Sequence, residues 1–289
     1  MAHRTWFVTG VSSGFGRIMT EQLLAEGDRV AGTVRKMDAM SDLKARYGDR
    51  LWLAHLDMTD TPAIRRVVDK AFADLGKIDI VVSNAGYGLF GAAEELSDEQ
   101  ILHQLSTNLL GPIHVVRAVL PHLRAQGSGR IIGISTYGGQ AAFPGGSLYH
   151  ASKWGLEGFL DSLAQEVAAF QIGVTIVEPG GARTNFRFGG AQLGTQMDAY
   201  KGTPAAMVHA MIRDTSRLPQ GDPLKMVKII IDTADQSPAP KRIALGSDAY
   251  TIMHKCLTER LAALEAQKEM AFSTDISVGA LGDSKGRRS

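Results

Sequence analysis

The sequence predicts an α/β protein: a doubly wound parallel sheet of about seven strands, with helices on both faces, in one domain. Three observations predict it. Short apolar runs rich in β-branched residues recur through the first 180 residues. Longer segments with helical spacing separate them. The runs are nearly continuous rather than alternating, as in strands covered on both sides.

The expected strands are Thr5–Val8, Arg29–Val34, Leu51–Leu56, Ile78–Val82, Arg130–Ser135, Val174–Val177 and, later, Arg242–Leu245. The first helix carries Ile18, Met19, Leu23 and Leu24 on one face; the next carries Ile64, Val67, Val68, Ala71 and Phe72. A long helix is expected over Ser97–Ala125, opened by a Ser97/Gln100 capping box and kinked or divided at Gly111-Pro112. Another covers Ser147–Phe170, with Leu156, Phe159, Leu160, Leu163 and Val167 inward. Residues 184–220 lose periodicity and read as a substrate lid inserted into a domain spanning 1–270. Helices follow over Leu224–Asp235 and Ala249–Lys268, and residues 271–289 read as a mobile tail.

The chain has 289 residues, enough for a sizeable core, with 44% hydrophobic and 21% charged residues. Its net charge of +1 provides no basic field to hold nucleic acid. Its single cysteine, Cys256, cannot form an internal disulfide, and no histidine spacing suggests a metal site. The uncharged stretch Ile131–Leu148 is too polar to span a membrane. The N-terminal segment has no long apolar run closing on a small-residue cleavage site, so the expected compartment is the cytoplasm.

The first strand ends in Thr9-Gly10-Val11-Ser12-Ser13-Gly14-Phe15-Gly16, and a helix follows. Glycines let the chain turn sharply and let a diphosphate approach the backbone, and the helix start adds free N–H groups and a positive dipole end. Two other readings compete. The glycines could serve packing alone. Alternatively, Gly10-Val11-Ser12-Ser13-Gly14 matches the nucleophile elbow of a hydrolase, with Ser12 served by a distant histidine such as His209 or His254. The second strand ends in Arg35-Lys36 with no carboxylate at its tip. A guanidinium there suits a ribose phosphate and favours NADP(H) over NAD(H); Lys36 reads equally well as a solvated surface charge.

Tyr149 and Lys153 are four residues apart at a helix start and share one face. A neighbouring ammonium is expected to lower the phenol's pKa and make it a usable proton donor and acceptor.

Taken together, Thr9–Gly16, Asn84-Ala85-Gly86, Asn108, Tyr149/Lys153 and Pro179-Gly180 resemble the short-chain dehydrogenase/reductase family, in its order and spacing, over residues 5 to about 185. The resemblance is to its compact members. It implies a Rossmann-type fold and hydride transfer between a nicotinamide nucleotide and a carbonyl or alcohol carbon. It implies that Tyr149 is the general acid, that Lys153 tunes it and binds the nicotinamide ribose, and that Asn108 holds a water linking Lys153 to solvent. It places Gly10, Ser12, Ser13, Gly14, Phe15, Gly16 and Arg35 on the cofactor's phosphates, with Asp57, Met58, Asn84, Ala85 and Gly86 near its adenosine side. Pro179, Gly180 and Thr184 fall at its nicotinamide end. The family's serine falls thirteen residues before the tyrosine, where this chain has Thr136, with Ser135 just before it. Neighbours in a strand face opposite ways, so Thr136 is assigned as the hydroxyl donor.

The lid and its surroundings carry Tyr87, Leu89, Phe90, Tyr137, Phe143, Phe186, Phe188, Leu193, Met197, Tyr200, Met207 and Met211, which suit a small hydrophobic carbonyl or alcohol. The leading function is an NADP(H)-dependent carbonyl reductase or alcohol dehydrogenase. The alternatives are a non-catalytic NADP(H)-binding sensor on the same fold and the Ser12 hydrolase. The resemblance also implies a homodimer or homotetramer built through the long helices.

Overall fold

The computed structural model describes residues 3–276. Its strands are β1 (Thr5–Thr9), β2 (Arg29–Val34), β3 (Leu51–His55), β4 (Ile80–Ser83), β5 (Gly88–Phe90), β6 (Gly129–Ile134), β7 (Ile172–Pro179), β8 (Ala191–Leu193) and β9 (Arg242–Leu245). Its helices are α1 (Gly14–Ala25), α2 (Ser41–Tyr47), α3 (Thr61–Leu75), α4 (Asp98–Leu105), α5 (Gly111–Gln126), α6 (Ser147–Val167), α7 (Phe186–Gly189), α8 (Met207–Arg213), α9 (Pro223–Thr233), α10 (Ser247–Glu265) and α11 (Lys268–Phe272).

Among the described residues, seven strands form one parallel sheet in the order β3-β2-β1-β4-β6-β7-β9. All five residues of β1 are buried, which explains its unbroken apolar run. Successive side chains take opposite faces. Phe7 joins Val81 and Ile131 in a layer closed by Ile64, Val68 and Phe72 of α3, Val115, Val119 and Leu123 of α5, and Leu156, Leu160 and Leu163 of α6. Trp6 and Val8 join Ile80, Val82 and Ile132 in the opposite layer, under Met19 and Leu23 of α1 and Val227 and Ile230 of α9. Each such side chain taken fully from water is worth about 1.5–3 kcal/mol of transfer free energy. The strand order reverses between β1 and β4, and such a switch point opens a crevice at the carboxyl ends of the strands.

The expected long helix is two helices. The Ser97/Gln100 capping box opens α4 as predicted. The interruption is a π-helical turn over Ser106–Leu110, just before the Gly-Pro pair. Pro112 sits in the first turn of α5, where its missing N–H costs little. Gly111 is needed there, because a Cβ would stand 2.7 Å from the Met58 carbonyl oxygen.

The aperiodic 184–220 segment holds α7, β8, a 3-10 turn at Asp198–Tyr200 and α8. β8 pairs in parallel with β5 as a two-stranded ribbon at the crevice. The tail expected from residue 271 begins within α11, whose Lys-Glu-Met-Ala-Phe sequence is rich in helix formers. Its residues 277–289 lie outside those described. No helix among the described residues is long and apolar enough to cross a membrane.

Candidate active site

A cavity of about 650 Å³ opens at the switch point, floored by the ends of the strands and covered by the 184–220 segment. The glycines of the first turn act for separate reasons. Gly10 has φ +73°, and a Cβ on it would stand 3.0 Å from the Cα of Ala85. Gly14 has φ +55° and opens α1. A Cβ on Gly16 would come 2.3 Å from the Gly10 carbonyl oxygen, so Gly16 permits close helix–turn packing and does not line the cavity. Ser13 is the N-cap of α1 but makes no side-chain cap, and the first turn holds no acidic residue. The α1 amides therefore retain capacity for an anion, beside the exposed Ser12 and Ser13 that line the cavity with Gly14 and Phe15.

The Asn84 amide clamps this turn: its Nδ2 donates to the Thr9 carbonyl at 2.9 Å and to that of Gly10 at 3.2 Å. The Thr9 hydroxyl in turn accepts from the backbone N–H groups of Asn84 and Ala85, at 2.9 and 3.0 Å. Arg35 lines the cavity at the tip of β2, whereas Lys36 is exposed and lies off it. Asp57 accepts from the Thr59 N–H at 2.8 Å and the Thr59 hydroxyl at 2.7 Å. These bonds, with a smaller contribution from Arg35, hold its carboxyl below the usual range. Met58, Ala85, Gly86, Pro179, Gly180 and Thr184 also line the cavity.

At the inner end, Tyr149 and Lys153 lie one helical turn apart on α6, and both are buried. Burial raises the Tyr149 phenol above its ordinary pKa, against a smaller lowering by its hydrogen bond with the Thr136 side chain. The phenol therefore keeps its proton. The Lys153 ammonium is engaged elsewhere, donating to the Ile134 carbonyl at 2.8 Å. Burial lowers Lys153 to about 8, against the field of Glu157 one turn along.

Thr136 follows the end of β6; its hydroxyl donates to the Pro179 carbonyl at 3.3 Å and accepts from the Gly138 N–H at 3.3 Å. Asn108 lies in the π-helical turn, fully buried behind the cavity wall. Its Oδ1 accepts from the Tyr87 N–H at 3.0 Å and its Nδ2 donates to the Tyr87 carbonyl at 2.7 Å. Asn108 and Lys153 meet across Gly86, where a Cβ would stand 3.2 Å from Asn108 Oδ1 and 3.8 Å from Lys153 Nζ.

Some groups at the site were not anticipated. His103 lines the cavity and its Nδ1 is 2.8 Å from the Tyr87 hydroxyl. Asp248, at the start of α10, accepts from the Gly181 N–H at 2.7 Å and braces the Pro-Gly-Gly turn. A glycine at 180 is the one sign of this in the sequence, since a Cβ there would stand 2.1 Å from Asp248 Oδ1. Among the described residues, no hydrogen bond joins Ser12 to a histidine; His209, one candidate partner, is instead buried against Glu95.

Residues 4–189 match the model of the short chain dehydrogenase family. Oxidoreductase BOA17 of Botryotinia fuckeliana is 34% identical over 272 residues, covering 94% of this chain and 99% of that protein. A crystal structure of a short-chain dehydrogenase from Streptomyces avermitilis superposes with a TM-score of 0.87 at 38% identity, covering 94% of this chain and 100% of that one. Serine dehydrogenase in its closed form with NADP+ superposes at 0.69 with 28% identity, over 83% of this chain and 93% of that one. A Burkholderia phymatum neighbour holding NAD is 17% identical, where the likeness shows the fold alone. Together with the glycine turn, the reversal of strand order and the Tyr149/Lys153 pair, these matches establish that the chain belongs to the short-chain dehydrogenase family and is an oxidoreductase.

Proposed function

We propose that this chain interconverts a small hydrophobic ketone or aldehyde with its alcohol, using NADP(H) in preference to NAD(H). The observation that carries the reading is the buried Tyr149 phenol, with Lys153 one helical turn along, at the inner end of a cavity whose outer end is the glycine turn. The residues fit a dinucleotide: free amides at the start of α1, a backbone cleared of side chains at Gly10, and Arg35 at the tip of β2. Bound there, the nicotinamide nucleotide supplies or accepts a hydride.

The chain's own residues do the rest. In reduction, negative charge builds on the carbonyl oxygen, and Tyr149 and Thr136 are the hydroxyls placed to donate to it. Proton transfer from the Tyr149 hydroxyl completes the alcohol. Lys153 lies one turn below with a readily lost proton, a store from which the phenol can be reprotonated. Thr136 in place of a serine adds a methyl group beside the reacting oxygen. Phe90 and Phe186 flank the phenol at ring-centroid distances of 5.3 and 6.0 Å. The phenol also shares an apolar cluster with Phe90 and Val208. A substrate's carbon skeleton beside the carbonyl would meet these apolar surfaces, which favours an apolar compound.

Arg35 supports NADP(H): it lines the cavity at the β2 tip, where the strand's own sequence supplies a guanidinium for a ribose phosphate in place of a carboxylate for a ribose diol. The test is consumption of NADPH, followed at its own absorbance, against a panel of apolar ketones and aldehydes. Turnover of at least one supports the reading. Tight NADPH binding without turnover of any supports a cofactor-binding sensor instead.

A further inference from the structure

We propose that Glu95 is a positioning residue for the substrate: its buried carboxylate latches the lid to the core and so sets the apolar wall beside Tyr149. The proposal rests on the carbonyl-reductase reading for its kinetic consequence and on the geometry alone for the latch.

Glu95 ends a 3-10 turn over Ala93–Glu95, just after β5 on the core side of the crevice. Its side chain is 1% exposed, as is that of His209 on α8 of the lid. Oε2 accepts from the Ala92 N–H at 2.9 Å and lies 2.8 Å from His209 Nε2. Oε1 accepts from the Met197 N–H at 3.0 Å. The Glu95 backbone carbonyl accepts from the Thr195 N–H at 2.9 Å. One residue thus fastens the lid at 195, 197 and 209.

His209 Nδ1 is buried and has no hydrogen-bond partner among the described residues. A charged imidazolium would leave a second N–H orphaned there, so the geometry favours the neutral ring with its proton on Nε2, donating to Glu95. The carboxylate is then held by three N–H donors, from Ala92, Met197 and His209. Two glycines clear space for it. A Cβ at Gly91, which has φ +151°, would stand 3.1 Å from Oε2, and a Cβ at Gly194 would stand 2.5 Å from the Glu95 carbonyl oxygen.

The latch acts on the substrate wall. Val208, next to His209, is buried in a cluster with Phe90 and Tyr149, against which Phe143, Leu193 and Ile212 pack. If the lid loosens at His209, Val208 and Ile212 move from the phenol. The glycine turn and Arg35 lie on other elements and keep their geometry.

The test compares wild type with Glu95→Gln, His209→Leu and His209→Gln in the full chain. Hydrogen–deuterium exchange is read over residues 194–213, NADPH affinity by fluorescence titration, and KM and kcat on an accepted ketone. Glu95→Gln and His209→Leu leave buried polar groups unmatched, and lid exchange should quicken about tenfold or more. KM should rise by a similar factor with kcat within roughly threefold and NADPH affinity unchanged, as expected for lost substrate binding without lost chemistry. His209→Gln, whose amide can still donate to Glu95, should stay close to wild type. Wild-type lid exchange in His209→Leu, or NADPH affinity falling in step with KM, overturns the latch. If wild type turns over no carbonyl compound, the reaction reading fails, while exchange and NADPH affinity still decide the latch.

Discussion

Ser135 and Thr136 are adjacent in the chain and turn to opposite partners. Ser135 Oγ donates to Glu157 Oε1 at 2.5 Å, while the Thr136 hydroxyl donates to the Pro179 carbonyl at 3.3 Å and lowers the pKa of the Tyr149 phenol. Their substitutions should therefore fail differently. Thr136→Ala should lower kcat by roughly 10²–10³, the usual effect of losing one donor to a developing oxyanion, and Thr136→Ser should restore most of it. Ser135→Ala leaves the buried Glu157 carboxylate short of a donor and should cost about 1–3 kcal/mol of stability. Steady-state kinetics beside thermal melts separate the two.

Arg35 lines the cavity at the tip of β2, a strand end whose own sequence carries no carboxylate. Arg35→Asp should raise KM for NADPH by about tenfold or more and lower it for NADH, because a carboxylate repels a phosphate dianion and accepts from a ribose diol. The ratio of kcat/KM for the two nucleotides checks this. An unchanged ratio would remove Arg35 from the phosphate site.

The buried Glu178 carboxyl on β7 is raised to about 7 by burial and by the neighbouring Glu157, against its bonds with Arg242. Its pKa is higher folded than unfolded, so the folded chain binds more protons between about 4.5 and 7. Stability from this group is present at low pH and declines as pH rises through that window. Glu178→Gln should remove the decline while keeping the Arg242–Glu157 pair at 2.5 Å. Melting temperatures at pH 5 and pH 8 should show the variant gaining on wild type by a few degrees at the higher pH, at roughly 2–4 °C per kcal/mol for a chain of this size. An equal difference at both pH values would contradict the assignment.

The strands of the main sheet were legible because both faces are buried. Arg29–Val34 and Arg242–Leu245 match the expected bounds, and the other five differ by up to two residues at each end. The β5–β8 ribbon was not legible: three residues per strand carry no period, and its partners lie about a hundred positions apart. The division of the long helix was foreseen at Gly111-Pro112, but the π-helical turn before it, which carries the buried Asn108, was not. In the site, the glycine turn and the Tyr149/Lys153 pair could be read because local geometry sets their spacing. The Tyr87–His103 contact and the Asp248 brace could not, since each joins groups that only the folded crevice brings together.

The proposed reaction depends on proton delivery by the buried Tyr149 phenol. The most direct measurement is single-turnover oxidation of bound NADPH by an accepted ketone in Tyr149→Phe, beside a titration of NADPH binding. Losing a general acid costs about 10²–10⁴ in rate. A loss of that size or larger, with NADPH affinity within roughly threefold of wild type, is the predicted result. Turnover at the wild-type rate would contradict it, because the proton would then come from another group.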